Sequence, residues 1–496
     1  MKIVIVGGGT AGWITAAYLK KNTSYSDITL IESANIPIIG AGEGSTGSLP
    51  HFIKEKWPDN SINEIDFLRK TKGTLKLGIN LKNWKGDGTQ IYSPFDMSPT
   101  SNSNIDLALL GSCLKYNRAD YASLHSWLMD NKLTTFRNEY GRPKPGLDNH
   151  SYHFDGVEVG KFFKEWCTKR GVKLITADVT DAIFDENEQL KNVKLDSGET
   201  IESELWFDCS GFARVLMSKT QNKWIPYKEY LPCNSAIPFS MDVYSKNVKF
   251  ETLSETMNAG WMWKIPLQQR HGCGYVYCDA FQTYEESLSE LNKKIGYSIE
   301  PIKNIKFESG RYDKVWYKNI VAIGLSSHFL EPLQATSIHI SLVSLNHLLN
   351  NYLKGGDINY NVDYKNYNNH IAEVVDDYKD FIQMHYLAGR NDTPFWKFVT
   401  NEMKLTDKNL ELIDISKHRI ITQLDIVGGH GSAGYSLWAH ILDNSGLYNK
   451  DLIKKELEHF GKYDASMDEI SNVKKFFEKI KSELISNEEF FKYLKL

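Results

Sequence analysis

The run Lys2–Val6 is apolar without alternation, and Gly7-x-Gly9-x-x-Gly12 follows it directly. A short apolar run without period-two alternation predicts a parallel strand covered on both faces. Trp13–Lys20 then reads as the start of a helix, and Ile28–Ile31 as a second strand that ends at Glu32. Strand, glycine loop, helix, strand and acid in that order define a βαβ unit built around an anion. The first glycine permits the tight turn, the second lets backbone approach a pyrophosphate, and the third allows close helix–strand packing. A carboxylate about 20 residues beyond the loop can bind ribose hydroxyls. Gly7, Gly9, Thr10, Ala11, Gly12 and Glu32 are therefore the candidate dinucleotide-binding residues.

The same spacing recurs twice, at Gly42-Glu43-Gly44-Ser45-Thr46-Gly47 and at Gly429-His430-Gly431-Ser432-Ala433-Gly434. The first copy has no strand of its own before it. The second follows the apolar run Ile420–Val427, but no second strand and acid come after it. Both read as a turn or a helix cap. With one complete site, the chain is expected to hold one nucleotide rather than a flavin and a nicotinamide in separate units. Asp208-Cys209-Ser210-Gly211, after the strand-like Leu205–Asp208, resembles the second sequence element of FAD-dependent hydroxylase-like enzymes and favours FAD over NAD.

At 496 residues the chain has room for roughly three domain-sized units. Its 41% hydrophobic and 24% charged residues exclude global disorder and a collagen-like repeat. A net charge of −4 lacks the basic footprint of a nucleic-acid binder. Six scattered cysteines without a Cys-x-x-Cys pair predict neither a disulfide framework nor a thiolate zinc site, and fit a cytoplasmic protein. No apolar run reaches the roughly 18 residues of a membrane span, and the apolar start is too short for a signal-peptide core. His150-x-x-His153, and His328 with His339, lack a helix-borne ligand set, so no metal is expected. No Gly-x-Ser-x-Gly nucleophile elbow occurs either. The stretch 92–150 is irregular and reads as a substrate-side insertion around a helical piece near Leu107–Leu114. Residues 235–325 are strand-rich. Beyond about Leu342 the chain is mainly helical, and Ile470, Val473, Phe476, Phe477, Ile480 and Leu484 recur at helical spacing as a core-facing stripe. The expected division is 1–345 and 346–496.

Four segments in order resemble one family. Gly7-Gly8-Gly9-Thr10-Ala11-Gly12-Trp13 looks like the opening of the flavin-dependent halogenases that act on tryptophan and related aromatics. Gly260-Trp261-Met262-Trp263-Lys264-Ile265-Pro266 matches their W-x-W-x-I-P signature. Thr74-Leu75-Lys76-Leu77-Gly78-Ile79 resembles the segment with their essential lysine, and Leu330-Glu331-Pro332-Leu333-Gln334-Ala335-Thr336-Ser337-Ile338 the segment beside the flavin ring. The resemblance implies an α/β, FAD-binding hydroxylase-like fold: a Rossmann-type βαβ unit plus mixed sheets, with a mainly helical C-terminal part. It implies that reduced FAD, delivered by a separate flavin reductase, and oxygen oxidise a halide (chloride, bromide or iodide) to hypohalous acid. That oxidant passes through an internal tunnel to a lysine, which forms a haloamine or hydrogen-bonds it. A small electron-rich aromatic is then substituted. A flavin monooxygenase that inserts oxygen directly, or a flavoprotein without catalysis, are the alternatives.

Carried over residue by residue, Lys76 is the catalytic candidate, although a lysine in an apolar run is ordinarily a snorkelling surface residue. Trp261 and Trp263 lie on one strand face; the resemblance makes them a barrier between flavin and substrate, where core packing is the ordinary explanation. Thr336 and Ser337 sit where the family binds halide through backbone N–H groups, and an ordinary polar turn is the alternative. Val179, Gly324, Leu325 and Ile338 join the cofactor candidates by the same resemblance. Gln334 departs from the family pattern, which commonly has glutamate there. An amide cannot serve as a carboxylate base, and removing an anion favours the neutral form of Lys76. Glu331 is the distant candidate for the missing charge.

Overall fold

Ile3, Val4 and Ile5 are completely buried because the strand Ile3–Val6 lies between two parallel neighbours, Ile28–Glu32 and Leu205–Asp208. A computed structural model describes residues 1–36, 42–96, 106–140, 142–147, 149–242, 248–353, 360–426 and 433–495. The first sheet runs in the order Lys173–Thr176, Ile28–Glu32, Ile3–Val6, Leu205–Asp208, Ile320–Ala322 and Trp316–Tyr317. Its first five strands are parallel, and the last returns antiparallel. The helix Thr10–Asn22 crosses over from the first strand to its neighbour and buries Trp13, Ile14, Ala16, Ala17 and Leu19. In such open sheets ligands gather beyond the carboxyl ends of the strands. Here the loops after Val6, Asp208 and Ala322 all open on that edge. Val179 begins a separate three-stranded antiparallel sheet, Val179–Phe184, Leu190–Leu195 and Thr200–Glu202.

A seven-stranded sheet stands beside the first. Its order is Ile305–Lys306, Ser235–Asp242, Arg270–Tyr277, Gly260–Pro266, Glu251–Met257, Gly78–Lys82 and Gln90–Pro94, antiparallel except where Glu251–Met257 meets Gly78–Lys82. Side chains alternate across it. Trp261, Trp263 and Ile265 enter the main core, whereas Met262 joins Ile237, Phe239, Tyr275 and Leu291 in a second core under the helix Tyr284–Ile295. A small sheet, Glu43–Gly44, Ser151–Phe154 and Thr74–Lys76, places Lys76 at the end of an edge strand.

From Thr336 onward the described elements are helices, apart from the strand Leu484–Ser486, which returns to pair with Leu133–Glu139. The helix Tyr463–Ile480 buries Ile470, Val473, Phe477 and Ile480. It lies close against the helix Leu107–Tyr116 at Gly111, where a Cβ would stand 2.4 Å from the Ser466 carbonyl oxygen. Two members of the expected stripe depart from it. Phe476 is 44% exposed, since one residue on a helix turns about 100° and Phe477 already faces the core. Leu484 belongs to the returning strand instead. Among the described residues no helix is long and apolar enough to cross a membrane.

Candidate functional site

The glycine loop divides its labour sterically. Gly7 adopts φ +116°, and a Cβ there would come within 2.3 Å of the Cys209 carbonyl oxygen. A Cβ on Gly12 would stand 1.9 Å from the Gly7 carbonyl oxygen, and one on Gly8 would meet the Glu32 Cβ at 2.3 Å. These glycines are demanded by the protein's own packing. At Gly9 a Cβ would meet nothing within 4 Å. Gly9 also begins the helix Thr10–Asn22, whose end receives no side-chain cap, so its first N–H groups are available to an anion. Glu32 ends the second strand with its carboxylate bonded to Lys164. Gly324, at φ +69°, presses against the Ala11 methyl, where a Cβ would stand 2.9 Å away. Half-buried Leu325 follows it. Ala177 N–H donates to the Glu32 carbonyl at 3.0 Å, so Val179 lies just past the same strand end. Open space at Gly9, uncapped donors and an acid at one rim fit a bound dinucleotide. Asp208 does different work: its carboxylate accepts from the N–H groups of Ser210, Leu216 and Met217 and folds its own following loop.

Lys76 is 1% exposed. Its Nζ donates to the Ser45 carbonyl at 3.3 Å and lies 4.8 Å from the centre of the Phe95 ring. Among the described residues no carboxylate pairs with it. Burial of an ammonium without a counter-ion pulls its pKa down to about 7, so the free amine is populated at neutral pH. Gly44 makes the cradle, because a Cβ there would sit 2.9 Å from the Nζ. Buried His153, between Thr74 Oγ1 at 3.2 Å and Thr252 Oγ1 at 2.8 Å, is held neutral by burial and by Lys76.

The segment from Glu331 to Ser337 forms a turn that passes into a helix. Pro332–Gln334 is one turn of 3₁₀ helix, Ala335 is left-handed at φ +55°, and the helix Thr336–Asn351 begins without a side-chain cap. A right-handed residue followed by a left-handed one points successive N–H groups to one side, which makes an anion nest. Thr336 and Ile338 are buried, and Ser337 is half-buried. Trp261 and Trp263 stand side by side, ring centres 6.3 Å apart. The Trp261 indole donates to Glu331 Oε2 and to the Tyr386 hydroxyl, both at 3.2 Å. Tyr386 donates to the same carboxylate oxygen, and Glu331 Oε1 has no partner among the described residues. Burial, opposed by these two donors, lifts the Glu331 carboxyl to about 7. Glu331 thus anchors the first tryptophan to the nest segment and makes no ion pair with Lys76.

Gln334 is buried. Its amide nitrogen lies 2.6 Å from His385 Nε2 and 3.4 Å from Ser93 Oγ. Ser93 lies in the strand Gln90–Pro94, and Phe95 is the first residue beyond its end. Gln334 and Lys76 thus touch the same short segment, one wall of the lysine chamber.

The sequence patterns overlooked two contributors. The segment Gly42–Gly47 reads as a turn or cap, and Gly47 does cap the helix Ser48–Lys54. Its other residues, however, form a bridge. The Glu43 carboxyl lies beside Thr10, whose hydroxyl donates to the Gly156 carbonyl, at the start of the helix Thr10–Asn22, and burial raises it to about 7, while neighbouring Gly44 and Ser45 hold Lys76. The small, turn-forming residues around Glu43 were the available signal. His385 had none, since it occurs in an ordinary helical stretch. The third glycine copy lies largely outside the described residues, from Gly429 to Ser432. His150 is a buried structural histidine between Thr135 and Glu64. Among the described residues no group of three or more His, Cys, Asp or Glu side chains is arranged to hold a metal.

Comparison with known proteins gives a consistent assignment. A family model described as tryptophan halogenase matches residues 2–451. A tryptophan 6-halogenase of Streptomyces albogriseolus is 31% identical over 437 residues, covering 82% of this chain and 80% of that protein. A tryptophan 7-halogenase of Lentzea aerocolonigenes is 31% identical over 442 residues, covering 84% and 81%. Among solved structures, a tryptophan C-6 flavin-dependent halogenase from taromycin biosynthesis superposes with a TM-score of 0.89 at 26% identity over 100% of both chains. The tryptophan 6-halogenase of Streptomyces toxytricini gives 0.87 at 26% identity over 99% of each.

Proposed function

This chain belongs to the tryptophan halogenase family and is a flavin-dependent halogenase, and from that premise we propose that it replaces a ring hydrogen of a small electron-rich aromatic by halogen through Lys76. The observation that carries this reading is a buried amine with no counter-ion among the described residues and a pKa of about 7. Gly7, Gly9, Thr10, Ala11, Gly12 and Glu32 would hold the FAD, with Val179, Gly324, Leu325 and Ile338 around them. When bound, reduced FAD supplies, with oxygen and a halide, the two-electron oxidation that yields hypohalous acid. The N–H groups of Thr336 and Ser337 hold the halide in the nest. Trp261, tied to Glu331, and Trp263 beside it keep the organic substrate away from the flavin.

Above about pH 7 the Lys76 amine is a nucleophile. Its lone pair takes the halogen of hypohalous acid, an N–H proton joins the departing hydroxide, and water leaves. The haloamine then delivers halogen to the ring carbon, and the ring proton restores the amine, so atoms balance. Below that pH the ammonium instead donates a hydrogen bond to the oxidant. Residues 1–345 carry flavin and lysine in this scheme, and 346–496 with the 92–150 segment close the substrate side.

The test is a mass-spectrometric screen of indoles, phenols and pyrroles with FAD, a flavin reductase, oxygen and each halide in turn. The expected product gains one halogen for one hydrogen and disappears in Lys76→Ala while FAD still binds. A hydroxylated product independent of halide would establish the monooxygenase alternative. Absence of any halide-dependent oxidant would leave a flavin-binding protein.

A further inference from the structure

His385 stands in the last turn of the helix Tyr360–Tyr386 and is fully buried. Its Nδ1 lies 2.8 Å from the carbonyl oxygen of Phe381, one helical turn back. A carbonyl only accepts, so Nδ1 carries the proton. In a neutral ring Nε2 is then a bare lone pair, and what faces it at 2.6 Å is the Gln334 amide nitrogen. The opposite amide orientation would set the carbonyl oxygen against that lone pair, so the two groups fix one another. Burial holds the imidazole down to about 4, against the Phe381 and Ile382 carbonyls, and no carboxylate contributes. Its other neighbours are the edges of Trp84 and Phe381. The nearby titratable groups face elsewhere. Glu331 is bonded to Tyr386 and Trp261, and Lys76 to Ser45. With one amide hydrogen on His385 and the other toward Ser93, the Gln334 oxygen accepts no hydrogen bond among the described residues.

We propose that His385 is a positioning residue that acts through Gln334: it turns the amide so that a neutral acceptor oxygen, rather than an N–H donor or a carboxylate, borders the chamber of Lys76. Such an oxygen accepts from the O–H of hypohalous acid or from an N–H of Lys76, and it carries no charge that titrates with pH. The bond to Ser93, two residues from the Phe95 ring beneath the lysine, keeps it at that chamber. The catalytic part of this inference rests on the function proposed above, and the pairing of the two side chains does not.

The test therefore has two arms. The first needs no halogenation and follows thermal unfolding from pH 5.5 to 8.5. In Gln334→Glu the new carboxylate demands a donor from His385, so the imidazole pKa is raised in the folded state. That contribution is present below the unfolded histidine pKa of roughly 6.5 and is lost as pH rises through the folded value. The midpoint deficit of Gln334→Glu relative to wild type should thus grow toward pH 8.5. It should shrink in Gln334→Glu/His385→Gln, where an amide again donates. A deficit that is flat with pH, or unchanged by the second substitution, overturns the pairing.

The second arm measures kcat, KM and the fraction of oxidant that escapes to a diffusible trap. His385→Leu should lower kcat by about tenfold with KM held and escape increased. Gln334→Ala should match it, and the double variant should be no worse, because the histidine acts through the glutamine. Additive losses, or full kcat in folded His385→Leu, overturn the positioning role. Should His385→Leu not fold, His385→Gln takes its place with the same two outcomes. A wild type that makes no oxidant at all would fail the proposed function and leave the thermal arm to decide the pairing.

Discussion

The glycine loop and the lysine chamber differ in how far along the chain their parts come from. At the loop, the turn, the helix start and the first strand lie within 22 residues of the N-terminus, and its sterics at Gly7 and Gly12 are backbone against backbone. The chamber draws on Gly44 and Ser45, on Lys76, on Ser93 and Phe95, on Gln334 and on His385. The loop is thus a local device, in which any side chain is an intrusion. The chamber is a non-local one, in which identity matters through charge and donor count. The two meet at Glu43 and Gly44, which touch Thr10 and Lys76 in turn. A shift of this short strand is therefore felt on both sides.

The largest expected effect sharpens the chamber side. Lys76→Ala should cut halogenation by about 10²–10⁴-fold with flavin binding intact, read as product yield beside FAD fluorescence titration. The same lysine burdens the fold. Its folded pKa lies below the unfolded value, so the unfolded chain binds more protons between about pH 7 and 10.5. The penalty is full below pH 7 and fades as pH rises to the unfolded pKa. Lys76→Met should accordingly raise thermal stability at pH 6 and lose that advantage near pH 10, by calorimetry.

Next come two glycines of the loop that should behave oppositely. Gly12→Ala drives a methyl into the Gly7 carbonyl and should cost about 1–3 kcal/mol of stability by denaturant unfolding, as overpacking does. Gly9→Ala meets open space and should leave stability within about 0.5 kcal/mol while weakening FAD binding about tenfold, or about 1.4 kcal/mol. Equal stability losses at both would break the distinction between packing glycine and ligand glycine.

A pH–rate profile discriminates more finely. Product formation should rise with an apparent pKa of about 7 as Lys76 loses its proton, and free hypohalous acid formation, measured with a trap, should not share that limb. The smallest effect belongs to the nest. Ser337→Ala keeps its N–H, so the halide KM should move by less than about twofold, and a larger shift in steady-state kinetics would assign the hydroxyl a role.

Much of this molecule is legible in its sequence. The βαβ unit is readable because Lys2–Val6, the glycines and Glu32 carry steric and periodic signals within one short span. Met262 and its flanking tryptophans fall on opposite faces for the same reason, a period of two. Phe476 shows the limit, because helical spacing admits a neighbour 100° away that ends in solvent. Gly42–Gly47 shows another, since its small residues fit a turn equally well whether or not a lysine packs on them.

Sequence alone determined the chemistry that residues such as Lys76, Glu331 and Gln334 bring, and the local geometry of the glycine loop, because both are properties of side chains and short backbone runs. Only the tertiary structure decided which of those groups are charged and which way they face. Lys76 with no counter-ion among the described residues, Glu331 bonded to Trp261, and Gln334 paired with a histidine 51 residues on all depend on burial and on contacts between distant segments. Desolvation and hydrogen-bond partnership are set by what the fold packs around a group, and no local pattern encodes that.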